Sequence, residues 1–128
     1  MLDHFILDEE HHVVPVDLMT WARWFGDGEH RVVEQTETKF HWVSTVFLGI
    51  DYGWGQSRLP VVFETMTFAR ESAIREVFGR LMKLHVEADD VEFGFNRYCS
   101  WDDALTGHRA IVGRLQRAEA EALKVAMP

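Results

Sequence analysis

The spacing of apolar and polar positions changes several times along the chain, and each change marks an element. Two short β-prone runs, at residues 4–7 and 13–16, flank the polar stretch 8–12 and read as a loose hairpin. Pro15 has no N–H to give to a ladder, so its strand is expected at an edge. Asp17 then precedes Leu18, Trp21, Ala22 and Phe25, spaced i, i+3, i+4 and i+7. A capping carboxylate ahead of one apolar stripe predicts a two-turn helix, stopped by Gly26 and Gly28.

The next forty or so positions read as sheet. Residues 30–38 are rich in Val and Thr yet carry charges, as a strand with one wet face would, and Lys39-Phe40 makes a tight reversal. Residues 42–50 form the strongest strand pattern, with Trp42, Ser44, Val46 and Leu48 on one face and Val43, Thr45 and Phe47 on the other. Both faces are largely apolar, which predicts a central position. Residues 51–60, with Gly53 and Gly55, form a loop, and 61–68 returns as a strand. Connections this short favour an antiparallel meander.

From Ser72 the period becomes helical, with Ile74, Val77, Phe78, Leu81, Met82 and His85 on one stripe. Residues 92–99 supply a further strand. Ser100, with Asp103 three positions on, starts a last helix whose buried stripe is Ala104, Leu105, His108, Ile111, Val112 and Leu115, extended by residues 117–126. The expected fold is a single α+β domain, with a mostly antiparallel sheet of four or more strands and about three helices mainly covering one face.

Composition narrows the function. In 128 residues, 47% are hydrophobic, enough for a core, and the net charge of −8 argues against binding nucleic acid or an anionic membrane. One cysteine, Cys99, excludes an intrachain disulfide framework and a multi-cysteine zinc site. The first basic residue is Arg23 and no apolar run is long enough for a secretory signal or a membrane span, so a soluble, intracellular protein is expected.

Four blocks of the chain, taken together and in order, resemble a small protein family encoded in phage and prophage genomes. They are Asp17-Leu-Met-Thr-Trp-Ala-Arg-Trp-Phe25, Val43-Ser-Thr-Val-Phe-Leu-Gly-Ile-Asp51, Phe63-Glu-Thr-Met-Thr-Phe68 and Arg97-Tyr-Cys-Ser-Trp-Asp-Asp-Ala-Leu-Thr-Gly-His108. The resemblance implies a phage origin and a bacterial host cytoplasm, and brings no established activity with it. Tyr52 stands where the family often has a histidine, and the segment 70–92 is longer than in the family pattern.

Three residues could carry chemistry. Glu64 shares a strand face with Val62, Met66 and Phe68, and a carboxylate there needs a partner or a wet site: it is a general base or metal ligand, or the ion-pair partner of an arginine such as Arg97. His108 lies on the apolar stripe of the last helix, either as a neutral core histidine or as a base or metal ligand meeting Glu64 or Asp51 across the helix–sheet interface. Gly107 before it, which costs about 1 kcal/mol against Ala in a helix interior, signals a close backbone approach. Cys99 reads as an inert small hydrophobe. No histidine or cysteine spacing matches a metal motif, and no cofactor is expected.

The loop at 51–60 presents Tyr52, Trp54 and Arg58, residue types enriched at interface hot spots, between glycines that let them project. The expected function is therefore a non-enzymatic interaction module binding a host or phage protein. The alternative is a small enzyme or ligand-binding domain with a pocket of Glu64, His108 and Asp51. Five tryptophans and nine phenylalanines, with the apolar stripe at 72–85, also suggest a possible homodimer.

Overall fold

The computed structural model describes residues 4–26, 28–53, 55–56, 58–70 and 96–126. The expected helix at 72–85 and the first part of the expected strand at 92–99 lie outside the described residues. The chain is α+β. Strands β1 (His4–Leu7) and β2 (Val13–Val16) form an antiparallel hairpin, and β3 (Val32–Glu37), β4 (His41–Phe47), β5 (Phe63–Ala69) and β6 (Arg97–Tyr98) form a separate antiparallel sheet in that order. Helix α1 (Leu18–Gly26) follows β2, and the long helix α2 (Trp101–Ala126) closes the described chain.

Local chemistry explains the boundaries. The Asp17 carboxylate accepts the Thr20 N–H at 2.8 Å, and the Ser100 hydroxyl accepts the Asp103 N–H at 3.1 Å, so each helix starts on the cap its sequence offers. Pro15 sits on the outer strand of the hairpin, since the other side of β1 reaches the main sheet's chain: Phe5 N–H donates to the Gly49 carbonyl at 2.8 Å. The strand expected from residue 30 begins only at Val32, because Glu29–Arg31 form a 3-10 turn in which the His30 ring stacks on Trp24 at 4.0 Å.

The main core lies between the sheet, the hairpin and the two helices. Phe5, Leu7, Phe47, Val62, Phe63 and Ala104 are buried together, with Trp24, Phe25 and Trp101 packed around them. Phe47 and Phe63 meet at 5.1 Å between ring centroids, and Phe47 touches Trp24 edge-on at 5.5 Å. Gly49 makes this junction possible. Its φ of +72° suits glycine, and a Cβ there would collide with the Phe25 and Trp21 rings.

Successive side chains on a strand point to opposite faces, and the register shows which face meets water. Val43, Thr45 and Phe47 of β4, with Phe63 and Thr65 of β5, turn toward α2 and are buried. Among the described residues, nothing packs over the opposite face. Trp42 pairs with Phe68 and Ser44 with Met66 across the two central strands, and Trp42, Met66 and Phe68 are 45%, 47% and 48% exposed. The sequence gives β4 two apolar faces, but the described residues cover only one of them.

Candidate functional site

Helix α2 lies across the sheet on a stripe of buried residues, Ala104, His108, Ile111, Leu115 and Glu119. This is the expected stripe continued by one more turn, and it carries two polar side chains among apolar ones. Each has its own set of partners.

His108 is fully buried and bonds to two strands, β3 and β4. Its Nδ1 lies 2.7 Å from Thr45 Oγ1 and its Nε2 lies 2.8 Å from Thr36 Oγ1. Thr45 is bonded in turn to Thr65 at 2.5 Å, and Thr65 donates to the Tyr98 phenol at 3.4 Å. Burial holds the His108 pKa below its ordinary value of about 6.5, with the Glu34 carboxylate opposing that effect and Arg109 adding to it. Gly107 faces the Tyr98 ring, which supplies the close approach that the glycine signalled.

Glu119 is 1% exposed. Its Oε2 accepts from Thr38 Oγ1 at 2.7 Å, from the Phe40 N–H at 2.9 Å and from His41 Nδ1 at 2.7 Å, while Oε1 accepts the Lys39 N–H at 3.2 Å. Burial raises its pKa, but the hydrogen bonds from His41, Thr38 and Phe40 outweigh burial and hold it below its usual value of about 4.5. The carboxylate thus ties the far end of α2 to the β3–β4 turn. Sequence reasoning passed over Glu119 and His41. The signal for Glu119 was a glutamate at the next position of the helical stripe, and His41 shares its face with Val43 and Thr45.

The proposed catalytic set does not come together. Glu64 lies beside Met66 on the open face, where Arg97 Nε meets its Oε1 at 3.3 Å, whereas His108 bonds to the opposite face through Thr45. The carboxylate of Asp51 receives the N–H groups of Gly53, Gly55 and Val61 at 2.8, 3.1 and 2.9 Å and organises its own loop. Burial works against its ionisation, but these three bonds prevail and lower its pKa. A cleft of about 430 Å³ opens beside Thr38, Lys39, Arg70, Gln116 and Glu119, and none of Glu64, His108 and Asp51 lines it. Among the described residues, no group of three or more His, Cys, Asp or Glu side chains is placed to hold a metal ion, and no helix is long and apolar enough to cross a membrane. Burial and the nearby Asp51 and Asp103 carboxylates push the Cys99 thiol up, away from the reactive thiolate.

The partner-binding candidates divide. Tyr52 is exposed and carries the Arg97 guanidinium over its ring at 5.1 Å, and Arg58 is exposed. Trp54 lies outside the described residues. Arg97 therefore touches both the loop, through Tyr52, and the open sheet face, through Glu64. This makes one continuous surface from Tyr52 to Trp42. Compared with known proteins, the chain matches no family model, no curated protein and no solved structure.

The two buried polar anchors imply a defined response to acid. A group whose pKa is lowered by folding stabilises the fold above its unfolded value and loses that contribution as pH falls toward its folded value. His108 should therefore start to cost stability below about pH 6.5, and Glu119 below about pH 4.5. Urea midpoints are expected to decline in that order as pH is lowered. A flat profile from about pH 7.5 to about pH 5 would contradict the His108 assignment.

Proposed function

We propose that the chain is a non-enzymatic binding module that docks a protein partner, of host or phage origin, on the open face of its four-stranded sheet. The observation that carries this reading is the exposed set Trp42, Met66 and Phe68, joined through Glu64 and Arg97 to Tyr52. Aromatic residues, Met and Arg are enriched where proteins meet, and a contiguous apolar patch on a charged protein marks such a place. The four-block resemblance supports a phage or prophage setting. Among the described residues, the carboxylates on this side are paired, Glu37 with Arg70 at 2.9 Å and Glu64 with Arg97 at 3.3 Å. That favours a partner with an apolar, weakly charged contact surface over a strongly basic one.

The test uses a tagged protein recovered from phage-infected cells, beside a variant with Trp42, Met66 and Phe68 all changed to Ser. These side chains are about half exposed and lie outside the buried core, so the variant should keep the fold, which its melting curve checks. Anchors of this kind cost about 2 kcal/mol or more each when truncated, so capture of the partner should fall by more than tenfold. Equal yield from the variant would defeat the reading. A concentration-dependent doubling of mass, lost in the variant, would instead identify the partner as a second copy of the chain. Changing Tyr52 to Ala should weaken capture less, because Tyr52 stands at the rim of the patch, against Arg97.

A further inference from the structure

The hydroxyl chain under the sheet selects one tautomer of His108 when the 3.4 Å contact is taken as a bond from Thr65 to Tyr98. A threonine hydroxyl has a single proton to give. Thr65 gives its proton to Tyr98, so it must accept from Thr45, which then has no proton left for His108. Thr45 therefore accepts from His108 Nδ1–H. In a neutral imidazole Nε2 is then the acceptor, and the Thr36 hydroxyl donates to it. Any further proton must arrive at Nε2.

Beside Nε2 stands a carboxylate oxygen that is ion-paired but takes no hydrogen bond among the described residues. It is Glu34 Oε2, itself buried and 3.8 Å away. It sits 3.4 Å from Nε of Arg109, an arginine whose side chain is mostly exposed. Glu34 also borders the register shift between Val32 and Glu34 where β3 pairs with β4, a point at which an edge strand can adjust. The charged and titratable groups facing His108 are Glu34 from β3, Arg109 from α2 and Tyr98 from β6; β4 and β5 present only the Thr45 and Thr65 hydroxyls.

We propose that His108, Thr36 and Glu34 form a proton-operated latch. Uptake of a proton at Nε2 reverses the Thr36 hydroxyl from donor to acceptor and draws the Glu34 carboxylate from Arg109 onto the imidazolium. The chain from Nδ1 through Thr45 and Thr65 to Tyr98 keeps its direction. Acid thus exchanges a neutral contact between α2 and β3 for an ion pair, and Glu34 limits the stability lost when the buried ring becomes charged. Strand β3 also carries Glu37, next to Trp42, so the latch lies behind one edge of the docking face, but it stands or falls independently of any partner.

Imidazole ¹⁵N NMR on the full chain tests this. At about pH 7.5 the His108 ring should be the Nδ1–H tautomer, and its titration midpoint should lie below about 6.5. Glu34→Gln should lower that midpoint by about half a unit or more, since a carboxylate within about 4 Å favours the charged ring. Arg109→Gln, at an exposed position that leaves the fold intact, should raise it. An Nε2–H tautomer in the parent protein would overturn the proposal without any variant. A midpoint unmoved in both variants, or unmoved in Arg109→Gln if Glu34→Gln fails to fold, would overturn it as well.

Discussion

Replacing Glu119 with alanine is expected to lower the unfolding free energy by about 3–5 kcal/mol, the range for breaking one side of a buried charged cluster. The carboxylate accepts hydrogen bonds from Thr38, Lys39, Phe40 and His41, and its removal leaves these donors, buried apart from Lys39, with only the water that the adjoining cleft admits. The last turns of α2 also lose their tie to the β3–β4 turn, so Phe40 should loosen from Ala118 and Ala122. Urea denaturation gives the magnitude, and amide exchange at Lys39 and Phe40 shows where it arises. Glu119→Gln should fall between the two, because its amide keeps one acceptor and sets a donor against the other donors. A loss below about 1 kcal/mol for the alanine variant would show that Glu119 is not the anchor described above.

The second large effect is expected at Gly107. An alanine in the middle of a helix normally gains about 1 kcal/mol over glycine. Here the added methyl would overlap the Tyr98 phenol, which is held between α2 and Thr65. Overpacking of this kind costs about 1–3 kcal/mol beyond the propensity gain, so Gly107→Ala should be destabilising. Gly113, on the same helix, provides the contrast. The nearest atom to a Cβ there is the tip of the Arg117 side chain at 3.4 Å, which can move aside. Gly113→Ala should be neutral or stabilising, and opposite signs at the two glycines would isolate the Tyr98 contact from helix propensity.

Much of the architecture could be read from periodicity because local chemistry and tertiary packing agree. Asp17 and Ser100 cap the helices they precede, and the stripe from Ala104 to Leu115 is buried apart from the flanking Leu105 and Val112. Two things could not be read. Period two says that Trp42 and Val43 face apart, but not which side the long helix will cover when both are apolar, and Glu64 was ambiguous for the same reason. The roles of carboxylates were also hidden: Asp51 looks like chemistry in a list of residues, yet its oxygens are used by three backbone N–H groups of its own loop. A glutamate on a helical stripe reads as an irregularity until the turn that receives it is known. The expected hairpin likewise formed, but as a two-stranded sheet of its own joined through Gly49.

His108 and Glu119 stand eleven positions apart on one face of α2, about 16 Å along the axis at about 1.5 Å per residue. One fits a threonine-lined recess and the other a turn whose Lys39 and Phe40 N–H groups it receives, and between them Ile111 and Leu115 meet Val43. Oily contacts alone would tolerate a helix that slides by a turn, since leucine and isoleucine are nearly interchangeable in such a groove. Two polar keys at a fixed separation do not. A slide of one turn would set an imidazole and a carboxylate against aliphatic side chains together, so the alignment of α2 on the sheet is encoded as a two-point address, and an all-apolar stripe would give up that alignment even where it gained adhesion.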